Sequence, residues 1–185
     1  MPRRAISVEG MPNHRHDLPD RAAAAALIAS LTGMPAFGLD KHLTIFAANG
    51  LAAGVLPTYA IGVNLARSVF LAEKPMTFDV GWGLACEHVS AALRASLDSF
   101  GEDEQFIEIV GELAALSPEF NGVWARDIAV EATGTFRFPA RDSATMALTY
   151  ERTYVSDGSG DAVVIWQPAD DISAAQLRQV SPPEA

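Results

Sequence analysis

Cysteine is all but missing: the 185-residue sequence holds one, Cys86. A disulfide within the chain is therefore excluded, which fits a reducing cytoplasm. No apolar run reaches the roughly 18 residues that a membrane-spanning helix needs. The opening residues carry Arg3 and Arg4 but no apolar segment, so they do not form a secretory signal. Basic residues are scarce, 13 against 23 acidic ones, for a net charge of −10. The deficit is uneven. From residue 34 onward nine basic residues face twenty acidic ones, a balance of −11. Such a body repels phosphate backbones and anionic membranes, so this chain alone is not expected to bind nucleic acid.

Reaction motifs are missing too. There is no Gly-rich phosphate loop, no nucleophile elbow and no paired-ligand metal motif. Cys86-Glu87-His88 sets nucleophile, acid and base side by side. On one helix such neighbours point about 100° apart and cannot act as a dyad, so Cys86 reads as a small buried hydrophobe. His14 and His16 lack a third ligand. No enzyme, no catalytic residue, no metal and no cofactor are expected.

What is present is apolar content, 49% of the residues. That is enough for one domain with a real core. Residues 1–20 read as a disordered tail, 21–180 as the domain and 181–185 as a second tail. Asp20 can cap a helix over 21–31. Strands follow over 36–39 and 43–48, separated by Asp40-Lys41-His42. Asn49 can cap a short helix over 51–56, which Pro57 ends. Helical spacing continues over 63–71, over 78–100 and from Glu104 to about Leu116. In the last of these, Phe106, Ile109, Val110, Leu113 and Leu116 keep the i, i+3, i+4, i+7 interval. Ser117-Pro118 opens another helix, with Phe120, Val123 and Trp124 inward. The period then changes to two. Strands are expected over 128–138, 144–155 and 162–167, the last two joined by the turn Asp157-Gly158-Ser159-Gly160. Ser173 can cap a final helix over 174–180. Two strands, a block of helices and three strands predict an α+β fold. Its five-stranded antiparallel sheet carries the helices on one face, in the connectivity of PAS domains.

Three segments are more specific. They are Asn64-Leu65-Ala66-Arg67-Ser68-Val69-Phe70-Leu71; Val110-Gly111-Glu112-Leu113, leading to Ser117-Pro118-Glu119-Phe120 and Val123-Trp124-Ala125-Arg126; and Leu148-Thr149-Tyr150-Glu151, leading to Val163-Val164-Ile165-Trp166. In order and spacing they resemble the MmyB-like transcription regulator ligand-binding domain, over about residues 26–180. The resemblance implies a PAS-like bacterial sensor domain that accommodates a fatty-acid-like molecule in its interior. Family members usually carry an XRE-type helix-turn-helix ahead of the sensor. Some thirty residues stand there in this chain, so DNA would be reached only through a missing or separate helix-turn-helix. Two family histidines have no counterpart: Asp127 follows Trp124-Ala125-Arg126, and none stands at 139–141.

A sheet roofed by helices suits an apolar pocket with few polar groups. Its expected ligand-binding residues are Asn64, Arg67, Phe70, Phe46, Leu93, Phe120, Trp124, Leu148 and Tyr150, with Leu65, Val69, Leu84 and Val89 as further lining. Arg67 has two readings. It is either a clamp for a ligand carboxylate or one half of a fixed ion pair, with Asp127 or Glu119 as partner. Asn64 either caps its helix or touches the ligand. A homodimer is expected, with 21–31 as a candidate contact, in a cytoplasmic protein. The competing reading is a structural dimerisation module with a filled core and no ligand.

Overall fold

Asparagine and aspartate set the helix starts, and period-two alternation sets the strands. A computed structural model describes residues 18–72, 81–126, 128–129, 131–140 and 144–181. Among these, the chain forms α1 (Arg21–Ser30), β1 (Ala36–Leu39), β2 (Ile45–Ala48), α2 (Gly50–Val55), α3 (Leu65–Leu71), α4 (Trp82–Phe100), α5 (Glu104–Leu116), α6 (Pro118–Trp124), β3 (Thr133–Pro139), β4 (Thr145–Tyr154), β5 (Ala162–Pro168) and α7 (Asp171–Leu177). The expectations for the tail over 1–17, for His14 and His16, for Asp127 as a partner and for 182–185 lie outside the described residues.

The sheet is five-stranded and antiparallel, in the order β2-β1-β5-β4-β3. Strands from both ends of the chain meet in it, because β1 pairs with β5. This is the α+β, PAS-like arrangement expected from the sequence. Alternation divides β5. Val164 and Trp166 join the large core with α2, α3, α4, α5 and α6. Val163 and Ile165 join a smaller cluster beneath α1. The helical block thus covers one face, and α1 adds a layer on the other through Ala24 and Ile28. Arg21 fixes α1 by a two-pronged pair to Asp161, at 2.5 and 2.7 Å. Asp161 is 1% exposed, so it is held by its cation rather than by water.

Asn49 caps α2 as expected. Its side chain accepts from the Ala52 amide at 2.9 Å and the Ala36 amide at 3.2 Å. It donates to the Leu31 and Met34 carbonyls at 2.7 and 2.8 Å. One side chain therefore joins the end of α1, the start of β1 and the start of α2. Ser117 caps α6 with Pro118 in the first turn, also as read.

Four expectations are corrected. The strand read over 128–138 begins only at Thr133, where its ladder with β4 ends opposite Glu151. Strand β2 begins at Ile45, two residues late. Leu43 adopts φ 64°, which bends the chain out of the strand. That conformation costs a non-glycine residue roughly 1–2 kcal/mol, and the burial of the Leu43 side chain in the large core offsets it. The last helix starts earlier than read, because Asp170 caps it through the Ser173 amide at 2.7 Å. Ser173 instead accepts from the Ala147 amide of β4 at 2.9 Å, which joins α7 to the sheet. Leu18, read as tail, is buried in the cluster beneath α1, and its carbonyl accepts from the Ser156 amide at 2.8 Å.

Candidate ligand-binding site

The cavity lies between the inner face of the sheet and the helices α2, α3 and α4. Its volume is about 520 Å³, within the roughly 300–1,000 Å³ usual for small-molecule sites. The sheet supplies Phe37, Leu39, Phe136, Phe138, Tyr150, Arg152, Val164 and Trp166. The helical side supplies Val55 and Leu56 around α2, Leu65 and Val69 from α3, and Trp82, Ala85, His88, Val89 and Ala92 from α4. Pro57, Thr58 and Tyr59 close the end beyond α2.

Aromatic rings build the floor. Phe138 meets the Trp166 ring edge-on at 5.1 Å, and Tyr150 meets it at 5.3 Å. Tyr59 stacks on Phe37 at 4.5 Å. Burial pushes its phenol well above the usual tyrosine range. Tyr150 can lie flat against β3 because Gly134 opposes it. A Cβ at Gly134 would stand 2.9 Å from the tyrosine ring. The Tyr150 hydroxyl donates to the Glu131 carbonyl at 3.0 Å. Burial raises its pKa, and nearby Arg152 opposes the rise.

Of the nine expected ligand residues, only Tyr150 lines this cavity. Leu65, Val69 and Val89, read as further lining, also face it, whereas Leu84 is 41% exposed. Phe46 lies on the other face of the sheet, under α1, with the Arg21 guanidinium 4.7 Å from its ring centre. Phe70, Phe120 and Trp124 form an aromatic column where α3, α4 and α6 meet, at 5.1 and 5.0 Å between successive rings. Arg94 covers the Trp124 ring at 4.2 Å and donates to the Trp124 carbonyl. Leu93 and Leu148 are filled core. Asn64 is a cap: it accepts from the Arg67 amide at 3.1 Å and donates to the His42 carbonyl at 2.8 Å.

Arg67 takes the ion-pair role, with Glu112 and Glu108 as its partners among the described residues. Its guanidinium donates to Glu112 at 2.7 Å and Glu108 at 2.6 Å, joining α3 to α5. These bonds raise its pKa, and it is not among the residues that line the cavity. Arg126 pairs with Glu87 at 2.9 Å. Cys86 is buried, as read.

His88, Arg152 and Trp166 line the cavity without standing among the residues expected there. Arg152 had a legible signal: it continues the inward series Met146, Leu148, Tyr150 by one more step of two. A cation at the end of an apolar face is a stronger pointer than a cation on a short helix.

An α+β fold of the PAS-like kind, with a cavity between sheet and helices, defines the class of protein. The family model for the MmyB-like transcription regulator ligand binding domain matches residues 21–180, and the chain belongs to that family. The family is a regulator's ligand-binding domain and not a known enzyme family. A search of curated proteins finds no match to the chain. Among the described residues no helix is long and apolar enough to cross a membrane.

Proposed function

We propose that this chain senses a small apolar or fatty-acid-like molecule, held between the sheet and the helices. Its occupancy is passed on through contacts with a twin subunit or with a partner that reads DNA. The cavity carries this reading. It has about 520 Å³ of space, walled by aliphatic and aromatic side chains with few polar atoms among them. A filled core would leave no such space. In this reading the protein works in the cytoplasm, where its single cysteine stays reduced.

The test has two parts. Organic extraction of the purified chain, followed by mass spectrometry, is expected to release an amphiphile in near-stoichiometric amount. Thermal melting against saturated fatty acids of increasing length is expected to show a rise that peaks at one length. A ligand that binds only the native state at a hundred times its Kd adds about 2.7 kcal/mol. An empty extract together with flat melting temperatures across the series would remove the sensing reading and favour the structural dimerisation module.

A further inference from the structure

The lining of the cavity is electrostatically incomplete. Trp166 is 4% exposed, and its indole nitrogen is buried with no hydrogen-bond partner among the described residues. The same holds for His88 Nε2 and Arg152 Nε. All three residues line this cavity. Buried polar atoms are nearly always paired, because an orphan has given up its hydration with nothing in return. Three around one space point to a missing common partner.

The fold brings them together. Tyr150 and Trp166 are direct partners across β4 and β5, and Arg152, two residues beyond Tyr150, shares their face. His88 reaches the same patch from α4, with its ring 5.9 Å from Tyr150 and 4.9 Å from Phe136. Arg152 forms no ion pair among the described residues, and no carboxylate there lines the cavity. The missing partner must therefore accept hydrogen bonds and carry negative charge. His88 narrows the choice. Its Nδ1 lies 3.2 Å from the Leu84 carbonyl and donates to it. Nε2 is then the acceptor of the neutral ring and a donor when the ring is protonated. A carboxyl group meets both states: one oxygen takes the indole and guanidinium N–H groups, and the other shares a proton with the imidazole.

We infer that Trp166, Arg152 and His88 form the head-group end of the cavity, that its occupant carries a carboxyl group there, and that the alkyl chain runs toward Leu39, Val55 and Leu65. This deepens the sensing reading and rests on it. The experiment compares dodecanoate with dodecan-1-ol on the full chain by calorimetric titration, using wild type, Arg152→Met, Trp166→Phe and Arg67→Ala. Wild type is expected to prefer the carboxylate by about tenfold or more, as a charge-assisted contact implies. Arg152→Met is expected to abolish that preference while leaving dodecanol affinity within about twofold. Trp166→Phe keeps an aromatic ring but loses the indole N–H together with the five-membered ring, so its dodecanol affinity reports the packing loss; it is expected to weaken dodecanoate several-fold more than dodecanol, and it stands as the second test should Arg152→Met not fold. Arg67→Ala is expected to leave both affinities unchanged. If wild type binds both compounds equally, or both cavity variants keep the wild-type ratio, the head-group assignment falls and the sensing reading stands. If neither compound binds wild type, both fall.

Discussion

Asn49 concentrates more hydrogen bonds than any other side chain described above, serving two amides and two carbonyls. Replacing it with alanine leaves all four groups without this partner. At about 1 kcal/mol per hydrogen bond, Asn49→Ala is expected to lower stability by roughly 2–4 kcal/mol, read from urea midpoints at constant m-value. Asn49→Asp keeps the acceptor for the amides and loses the donor to Leu31 and Met34, so it should fall between wild type and alanine. The capping half of this role was legible in the sequence, because a cap depends on residues three positions away. The bracing half was not, because it depends on where α1 ends in space. The same contrast explains Arg67. Its need for a partner could be read from its apolar neighbours, but Glu108 and Glu112 lie more than forty positions along the chain.

At the scale of elements, two polar ties fix α5 to its neighbours. The first is Arg67 between α3 and α5. Its side chain is 35% exposed, so water screens the pair, and Arg67→Ala is expected to cost no more than about 1 kcal/mol in chemical denaturation. The second is Asp103, the cap of α5, which also receives Lys41 at 2.7 Å and His42 at 3.0 Å from the turn between β1 and β2. Lys41 first, then the Phe106 amide and His42, hold its carboxyl well below the usual carboxylate range. A carboxyl with a lowered folded pKa stabilises the protein above its unfolded value, near 3.8, and that stability is lost as pH falls below it. Asp103→Asn should therefore be less stable than wild type at neutral pH, with the gap closing as acid is added below about pH 4. A gap independent of pH would mean that the cap bond alone matters. Helix order and caps were legible because they are local. The turn's dependence on α5 was not, because it joins residues sixty positions apart.

For the whole molecule, strand order decides where the structure opens last. β5 sits between β1 and β4, whereas β2 and β3 lie at the margins. The outer side of β2 is partly paired, since Ile45 and Thr44 bond to the segment from Gly62 to Asn64. Among the described residues β3 has no neighbouring strand on its far side. Hydrogen exchange is therefore expected to be slowest at Val163–Trp166 and fastest, among the strands, at Thr133–Pro139. Equal protection in β3 and β5 would mean that another surface covers the β3 margin. The antiparallel sheet and its strand alternation could be read directly from the sequence. The cavity could not, because empty space is a property of how rings from β1, β3, β4 and β5 meet, not of any one segment. That is why only Tyr150 of the nine expected ligand residues lines it.

One consequence follows from the central strand. β5 is a partition one backbone thick. Its even-numbered side chains, Val164 and Trp166, belong to the room where a guest would lodge. Its odd-numbered ones, Val163 and Ile165, lean on α1, which is bolted to the residue just before the strand by Arg21 and Asp161. A tilt or slide of this strand cannot be private to one room. Whatever leans on one side of the wall is felt by the helix hung on the other.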